Sequence, residues 1–216
     1  MARLTRERNL RTGRSLWTLS PGLGVPVRPL TEAIAVDVAV VGAGVSGALM
    51  ARELARDHTV AVLDRRAPLM GSTIASTALI QWEIDRSLVD LGRRVGPARA
   101  RRAYARSYAG VAALREIVAE DRIRCGLQPR ATLYVAGDLY GARALEEEAA
   151  ARAELGLPSR FVAAEELRER FAVPRTGAIL SEGSACADPG RLTAGLLRRA
   201  IDRRSRWRRL SAIRRG

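Results

Sequence analysis

The chain has 216 residues, of which 47% are hydrophobic and 28% charged, and its formal net charge is +14. This length and composition are typical of a globular chain of one large or two small domains, and no apolar run approaches the ~20 residues that a membrane-spanning helix requires. All 37 basic residues are arginine, and residues 203–216 hold seven of them and no acid. We therefore interpret the charge as solvated basic ends and expect no nucleic-acid partner.

Cysteine and histidine are too sparse to indicate a metal centre. Cys125 and Cys186 form no C-x-x-C pair, and His58 is the single histidine. This usage predicts free thiols in a reducing cytoplasm and no metal site. The arginine-rich N-terminus has no apolar core, which argues against a secretory signal and leaves a transit peptide as the less favoured alternative. We expect a cytoplasmic protein.

Hydrophobic periodicity predicts alternating helices and strands after an N-terminal lead-in at residues 1–36. Strands are predicted at residues 37–41, 59–63, 131–136 and 178–181. Helices are predicted at residues 45–56, 83–94, 98–121, 142–155, 164–170 and 191–203. This order indicates an α/β fold that starts with a βαβ unit.

A glycine-rich turn joins the first predicted strand to the first predicted helix. Gly42, Gly44 and Gly47 form G-x-G-x-x-G directly after a short apolar strand. In a dinucleotide-binding turn the first glycine permits the tight bend, the second admits a pyrophosphate close to the backbone, and the third lets the helix approach the strand. The pyrophosphate would lie at the positive end of the helix dipole. Asp64 ends the next strand, 22 residues beyond Gly42, where an acid binds an adenosine ribose.

The segment after Asp64 indicates which dinucleotide is bound. A nicotinamide-binding domain would continue there to another β-α unit, but this chain continues with small and hydroxyl residues, GSTIASTALIQ, at residues 71–81. That segment resembles the one that follows the ribose acid in the FAD-dependent oxidoreductases of the D-amino-acid oxidase, glycine oxidase and sarcosine oxidase superfamily. The likeness covers about residues 16–202. Further stretches are similar in the same order, namely TLYVA at 132–136, EELRERF at 165–171 and ADPGRL at 187–192.

The resemblance implies a cofactor and a set of site residues. The cofactor would be FAD, held noncovalently, and the reaction would transfer a hydride from an amine or amino acid to the flavin. Asp64 would bind the adenosine ribose, and Arg65 or Arg66 the adenine edge. The remaining cofactor contacts would come from the glycine turn and the loop after it: Gly42, Ala43, Gly44, Val45, Ser46 and Gly47, then Ser72, Thr73 and Ser76.

Two departures from the family pattern bear on function. Gln81 stands where sarcosine-oxidase-like members have an arginine near the substrate, so it is the substrate-side candidate and a carboxylate substrate is less secure. The chain also ends soon after Asp202, where the family continues, and an arginine-rich tail stands in place of an expected strand. We therefore expect a fold that is incomplete at its C-terminus and a chain that has little or no oxidase activity alone. No catalytic residue and no oligomeric state can be assigned.

The resemblance divides the chain into five parts and leaves two alternatives for function. The fold would be a Rossmann-like FAD-binding βαβ unit with part of an α+β substrate domain. The alternatives are an inactive fragment or pseudoenzyme with residual nucleotide binding, and an NAD(P)-binding protein. The expected parts are a lead-in at 1–36, the FAD-binding unit and flavin-approach loop at 37–96, a helical and partial substrate domain at 97–187, a returning helix at 188–202 and a basic tail at 203–216.

Overall fold

A computed structural model describes residues 15–202 and the backbone of Ser211–Ala212. The predicted α/β class is confirmed, since the chain combines a parallel sheet, an antiparallel sheet and six helices of the α type within the described residues. The strands are β1 Arg28–Pro29, β2 Val38–Val41, β3 Val60–Asp64, β4 Leu79–Ile80, β5 Gln128–Val135, β6 Ser159–Ala163, β7 Gly177–Cys186 and β8 Ser211–Ala212. The helices are α1 Val45–Leu54, α2 Leu88–Val95, α3 Pro97–Glu120, α4 Ala142–Glu154, α5 Ala164–Phe171 and α6 Pro189–Asp202.

The described residues form two compact units. The first comprises the chain up to Thr77 and from Asp188 onward, and the second comprises Ala78–Ala187. The sequence-based division at residue 96 lies inside the second unit, between α2 and α3. The functional division of the chain into five parts stays a prediction.

The first unit is a parallel sheet with strand order β1-β8-β3-β2, together with α1 and α6. Strands β2 and β3 pair in register from Val38 opposite Val60, and α1 packs against α6. Helix α6 starts where Asp188 accepts the Arg191 N–H at 2.9 Å and Pro189 takes the first helical position. An aspartate cap followed by proline favours a sharp helix start.

The second unit is an antiparallel sheet in which β7 pairs with β4, β5 and β6. The 24-residue helix α3 places Tyr104 and Val111 in one core cluster with Trp82. Burial raises the pKa of the Tyr104 hydroxyl, which donates a hydrogen bond to the Arg86 carbonyl at 2.6 Å. This face of α3 is therefore part of the core.

Several sequence-based elements differ from the structure. The predicted helix at 83–94 begins at Leu88, because the Ser87 hydroxyl accepts the Asp90 N–H at 3.1 Å and caps the helix there. Strand β7 is ten residues long where four were predicted, and β6 was not predicted. Strand β6 has five residues, and its strand conformation is set by its pairing with β7 more than by a pattern in its own sequence.

The basic tail at 203–216 lies outside the described residues except for the backbone of β8. The expectation that an arginine-rich tail replaces a strand of the sheet is wrong at Ser211–Ala212. These two residues form β8, which pairs in parallel with both β1 and β3. The hydrogen bonds of a parallel ladder are made by backbone groups, so arginine-rich flanking sequence does not prevent them. None of the helices in the described part of the chain is long and apolar enough to cross a membrane.

A buried ion pair joins two helices of the second unit. The Glu148 carboxylate is 1% exposed and accepts the N–H groups of Leu88 and Val89 at 2.7 and 2.9 Å, at the start of α2. Arg152 Nε donates to the same carboxylate at 2.7 Å, and its guanidinium lies over the rings of Trp82 and Tyr104. The carboxylate therefore caps one helix while neutralising a buried cation.

We predict that Glu148→Ala lowers the free energy of unfolding by about 3–5 kcal/mol, because it leaves a buried guanidinium without its partner. Urea denaturation measures this change. The control is Glu146→Ala, an exposed glutamate of the same helix, which should change stability by no more than ~0.5 kcal/mol. Equal losses in the two variants would contradict this account of the ion pair.

Candidate functional site

The turn after β2 is fixed to the end of β3 by backbone and side-chain hydrogen bonds. Gly42 has φ +107°, a conformation that favours glycine. Its N–H donates to the Leu63 carbonyl at 2.7 Å, and the next N–H, of the fully buried Ala43, donates to Asp64 Oδ2 at 2.9 Å. The turn is therefore held against the carboxyl ends of two neighbouring parallel strands.

Helix α1 passes so close to this turn that only glycine fits at residue 47. A Cβ placed on Gly47 would lie 1.9 Å from the Gly42 carbonyl oxygen and 3.4 Å from Val40 Cγ1. The first of these atoms belongs to the backbone and cannot rotate away. Close approach of helix and strand is the packing role that the motif assigns to its third glycine.

The start of α1 presents backbone N–H groups at the positive end of the helix. Gly44 is the N-cap residue and supplies no side-chain cap, and the Ala48 N–H makes a helical bond back to the Gly44 carbonyl at 2.9 Å. The amides of Val45, Ser46 and Gly47 precede that bond. A helix start of this kind stabilises an anion through its N–H groups and its dipole.

One hydroxyl group of the loop at residues 71–77 reaches this helix start. Thr73 lies in a short 3₁₀ turn, is 8% exposed, and accepts the Val45 N–H on its Oγ1 at 3.0 Å. A Cβ on Gly44 would lie 2.9 Å from the same oxygen. Ser72 and Ser76, which the sequence grouped with Thr73, are exposed. The structure thus brings Thr73 to the glycine turn and distinguishes it from its two neighbours.

Asp64 connects the turn to the segment that follows β3. One carboxylate oxygen accepts the Ala43 N–H, and the other accepts the Arg66 N–H at 3.0 Å. Each carboxylate oxygen has a second lone pair, so these bonds leave acceptor capacity for a ribose hydroxyl. The side chains of Arg65 and Arg66 are exposed beside it. This arrangement gives Asp64 a structural contact that the sequence did not reveal.

The remaining sequence candidates lie elsewhere. Gln81 is exposed and follows β4 in the second unit, so its place beside a substrate stays a prediction. His58 is exposed in the turn before β3. Among the residues that the structure describes, no three histidine, cysteine, aspartate or glutamate side chains gather into a possible metal site.

The parallel sheet, the glycine turn and the acid at the end of β3 together define a dinucleotide-binding protein. The sequence of residues 37–215 matches the family model described as FAD dependent oxidoreductase, DAO, and the chain belongs to that family. The family resemblance predicted from the residues after Asp64 is confirmed by this match. FAD is accordingly the cofactor of the family.

Solved structures show the same fold. Glycine oxidase from Geobacillus kaustophilus is 26% identical, with a TM-score of 0.59 over 78% of this chain and 45% of that one. L-Amino acid deaminase from Proteus vulgaris, with its specific insertion sequence deleted, is 17% identical with a TM-score of 0.68, over 90% and 50% of the two chains. FAD-bound L-α-glycerophosphate oxidase from Mycoplasma pneumoniae is 20% identical with a TM-score of 0.62, over 79% and 44%.

The chain spans about half the length of these proteins or less. A search of curated proteins gave no match. The residues present nevertheless fit the adenosine and pyrophosphate end of FAD. The N-cap residue Gly44 has no side chain that would occupy the helix start, and a Cβ there would meet the Thr73 hydroxyl.

We predict that Gly47→Ala lowers the free energy of unfolding by about 1–3 kcal/mol or more, because the added methyl group must push α1 away from the Gly42 carbonyl. The control is Gly110→Ala in α3, where a Cβ meets nothing within 4 Å. That exposed helical glycine should gain about 0.5–1 kcal/mol when replaced by alanine. Urea denaturation should therefore show a lower free energy of unfolding for Gly47→Ala and a higher one for Gly110→Ala. A gain in stability in both variants would show that the close approach is not required.

Proposed function

We propose that this chain binds FAD at the glycine turn as part of an oxidoreductase that acts on amines or amino acids, and that it has little or no oxidase activity alone. The pyrophosphate would lie on the amides at the start of α1, the ribose on Asp64, and the adenine edge against Arg65 or Arg66. Thr73, with Ser72 and Ser76 on the same loop, would continue the contacts toward the flavin. The turn residues that would surround the pyrophosphate are Gly42, Ala43, Gly44, Val45, Ser46 and Gly47.

The observation that carries this proposal is the start of α1, whose N-cap residue Gly44 has no side chain and whose first amide is held by the buried Thr73 hydroxyl group. Buried polar groups are normally hydrogen-bonded, and here the Thr73 hydroxyl accepts one amide of the first helical turn at 3.0 Å. The amides of Ser46 and Gly47 precede the bond from Ala48 to Gly44, and amides at such positions have no partner within the helix. A phosphate group placed there would gain charge-assisted hydrogen bonds from both.

The substrate class is proposed from the family and from two solved structures of the same fold. Hydride acceptance from a carbon beside an amine is the chemistry that a flavin supplies in such proteins. This chain's described residues would bind and orient the cofactor. Glycine oxidase and L-amino acid deaminase are named for amino acids, which supports amines or amino acids as the substrate here. Gln81 remains the substrate-side candidate, and its neutral amide would form no ion pair with a substrate carboxylate.

Two alternatives predict different outcomes. A protein that binds nucleotide without turnover would take up FAD, and no substrate would reduce it. An NAD(P)-binding protein would prefer a nicotinamide dinucleotide, since the glycine turn and the acid alone are common to both cofactor classes. A cytoplasmic location, proposed because Cys125 and Cys186 form no disulfide, is independent of this choice.

We predict that the chain binds FAD and that Gly44→Val abolishes binding. The valine Cβ would lie 2.9 Å from Thr73 Oγ1 and its methyl groups would enter the space of the pyrophosphate. Asp64→Ala should weaken binding by roughly 1–3 kcal/mol, the scale of a lost hydrogen bond to a charged group. Titration followed by quenching of flavin fluorescence measures both effects, with NAD⁺ and NADP⁺ as competitors.

Gly141→Val is a matched control for Gly44→Val. Gly141 is also an extended N-cap glycine, at the start of α4, and a Cβ there meets nothing within 4 Å. The Gly141→Val variant should bind FAD with the same affinity as the parent. Equal titration curves for Gly44→Val and the parent would refute the assignment of the turn, and displacement of FAD by NAD⁺ at comparable concentration would favour the nicotinamide alternative.

We predict that the bound FAD is noncovalent. His58 is the single histidine and lies exposed in the turn before β3, far along the chain from the loop that would approach the flavin. Acid precipitation of the FAD-loaded protein should leave the yellow colour in the supernatant. A yellow pellet after washing would contradict this prediction.

We predict that the FAD-loaded chain turns over slowly or not at all, and that any anaerobic bleaching of the bound flavin comes from an amine, a D-amino acid or an N-methyl amino acid. L-α-Glycerophosphate is the comparison, because a solved structure of the same fold is named for that substrate. Bleaching by L-α-glycerophosphate alone would overturn the amine assignment. Bound FAD that none of these compounds bleaches would favour nucleotide binding without turnover.

A further inference from the structure

The N-terminal segment at residues 15–25, which we call the N-terminal strap, is hydrogen-bonded to the loop that carries Thr73. The Ser15 hydroxyl donates to the Ile74 carbonyl, and the Trp17 indole Nε1–H donates to the Ser76 carbonyl at 2.9 Å. These two carbonyls lie one and three residues beyond Thr73. The strap therefore holds the backbone of the loop, while the Thr73 side chain is hydrogen-bonded to the start of α1.

The other end of the strap is anchored to α6. The Ser20 hydroxyl donates to the Asp188 carboxylate at 2.5 Å, beside the first turn of α6. The Arg198 guanidinium, three turns further along, donates to the carbonyls of Gly22 and Gly24 at 2.9 and 2.8 Å. Helix α6 is largely buried in the first unit. The strap is thus tied to a rigid element at one end and to the loop at the other.

Apolar contacts close the space between strap, loop and helix. Three side chains of the strap, Trp17, Leu23 and Val25, pack against a buried cluster. The cluster consists of Leu69 and Ile74 on the loop side and Ala194 on α6. Ile74 adjoins Thr73, so the residue next to the cofactor-facing hydroxyl is held in the cluster that the strap covers.

We infer that the N-terminal strap is a positioning device for the FAD site. It holds the loop at residues 71–77 so that Thr73 Oγ1 meets the Val45 amide before FAD arrives, and this inference rests on the proposed FAD site. A loop that is ordered before binding does not lose conformational freedom on binding, so the affinity is higher. Trp17 and Ser15 are positioning residues that act through Thr73 without touching the cofactor.

The test is the FAD dissociation constant of Trp17→Phe in the full chain. Phenylalanine keeps an aromatic ring in the cluster and removes the donor to Ser76, so FAD should bind roughly 3- to 10-fold more weakly, the scale of one lost hydrogen bond. Ser15→Ala should act in the same direction, and Ser15→Thr should restore the parent affinity. Leu16→Ala is the control, because Leu16 belongs to the same 3₁₀ turn and is 68% exposed.

A double-mutant cycle separates positioning from general stability. If the strap acts through Thr73, Trp17→Phe should change FAD affinity by less than ~2-fold in a Thr73→Val background, because coupled residues give non-additive effects. Full additivity of the two substitutions would overturn the inference. So would a parent-like dissociation constant for Trp17→Phe in a protein that binds FAD.

Amide hydrogen exchange without FAD distinguishes failure of the strap from failure of the proposed function. In the parent, the Val45 amide and the loop at 71–77 should be protected, and Trp17→Phe should raise exchange there more than Leu16→Ala does. If the exchange pattern is as predicted but the parent binds no FAD, the strap does hold the loop and the proposed function is refuted. Unchanged exchange in Trp17→Phe would refute the strap, whatever the affinity for FAD.

Discussion

The close approach of α1 to the turn after β2 is the contact on which the rest of the site depends. A side chain at Gly47 would lie 1.9 Å from the Gly42 carbonyl oxygen, so the helix can take this position only while residue 47 is glycine. The approach places the positive end of α1 at the carboxyl ends of β2 and β3, where Ala43 can donate to Asp64. This one contact brings together the helix end and the acid that we propose to bind the pyrophosphate and the ribose of FAD.

Three separate segments of the chain converge on that helix end. The turn is hydrogen-bonded to the end of β3 through Gly42 and Ala43, and the Val45 amide is hydrogen-bonded to Thr73 on the loop after β3. The loop is in turn held by the N-terminal strap, whose other end is fixed to α6. Affinity for a cofactor in such a site depends on residues that never touch it, because they decide how much order binding must impose.

The sequence predicted the parts of this arrangement that are local. Glycine spacing located the turn, and hydrophobic periodicity predicted a helix at 98–121, because both patterns are set by backbone geometry within one element. Three features depend on contacts with residues distant in the chain, so they could not be predicted from a local stretch of sequence. Strand β6 is defined by its pairing with β7, and Thr73 is indistinguishable in sequence from Ser72 and Ser76 until the loop meets α1. Glu148 is one of three consecutive glutamates, and only packing against α2 shows which is buried.

The most direct test of the central claim is the response of backbone amides to FAD in the ¹⁵N-labelled protein. The account predicts that the largest shifts on FAD addition fall on Val45, Ser46 and Gly47 at the start of α1, with smaller ones at the end of β3 and in the loop that carries Thr73. Adenosine without the pyrophosphate should move the end of β3 and leave the helix start little changed. Large shifts confined to residues outside these segments would show that the cofactor binds elsewhere and would contradict the account.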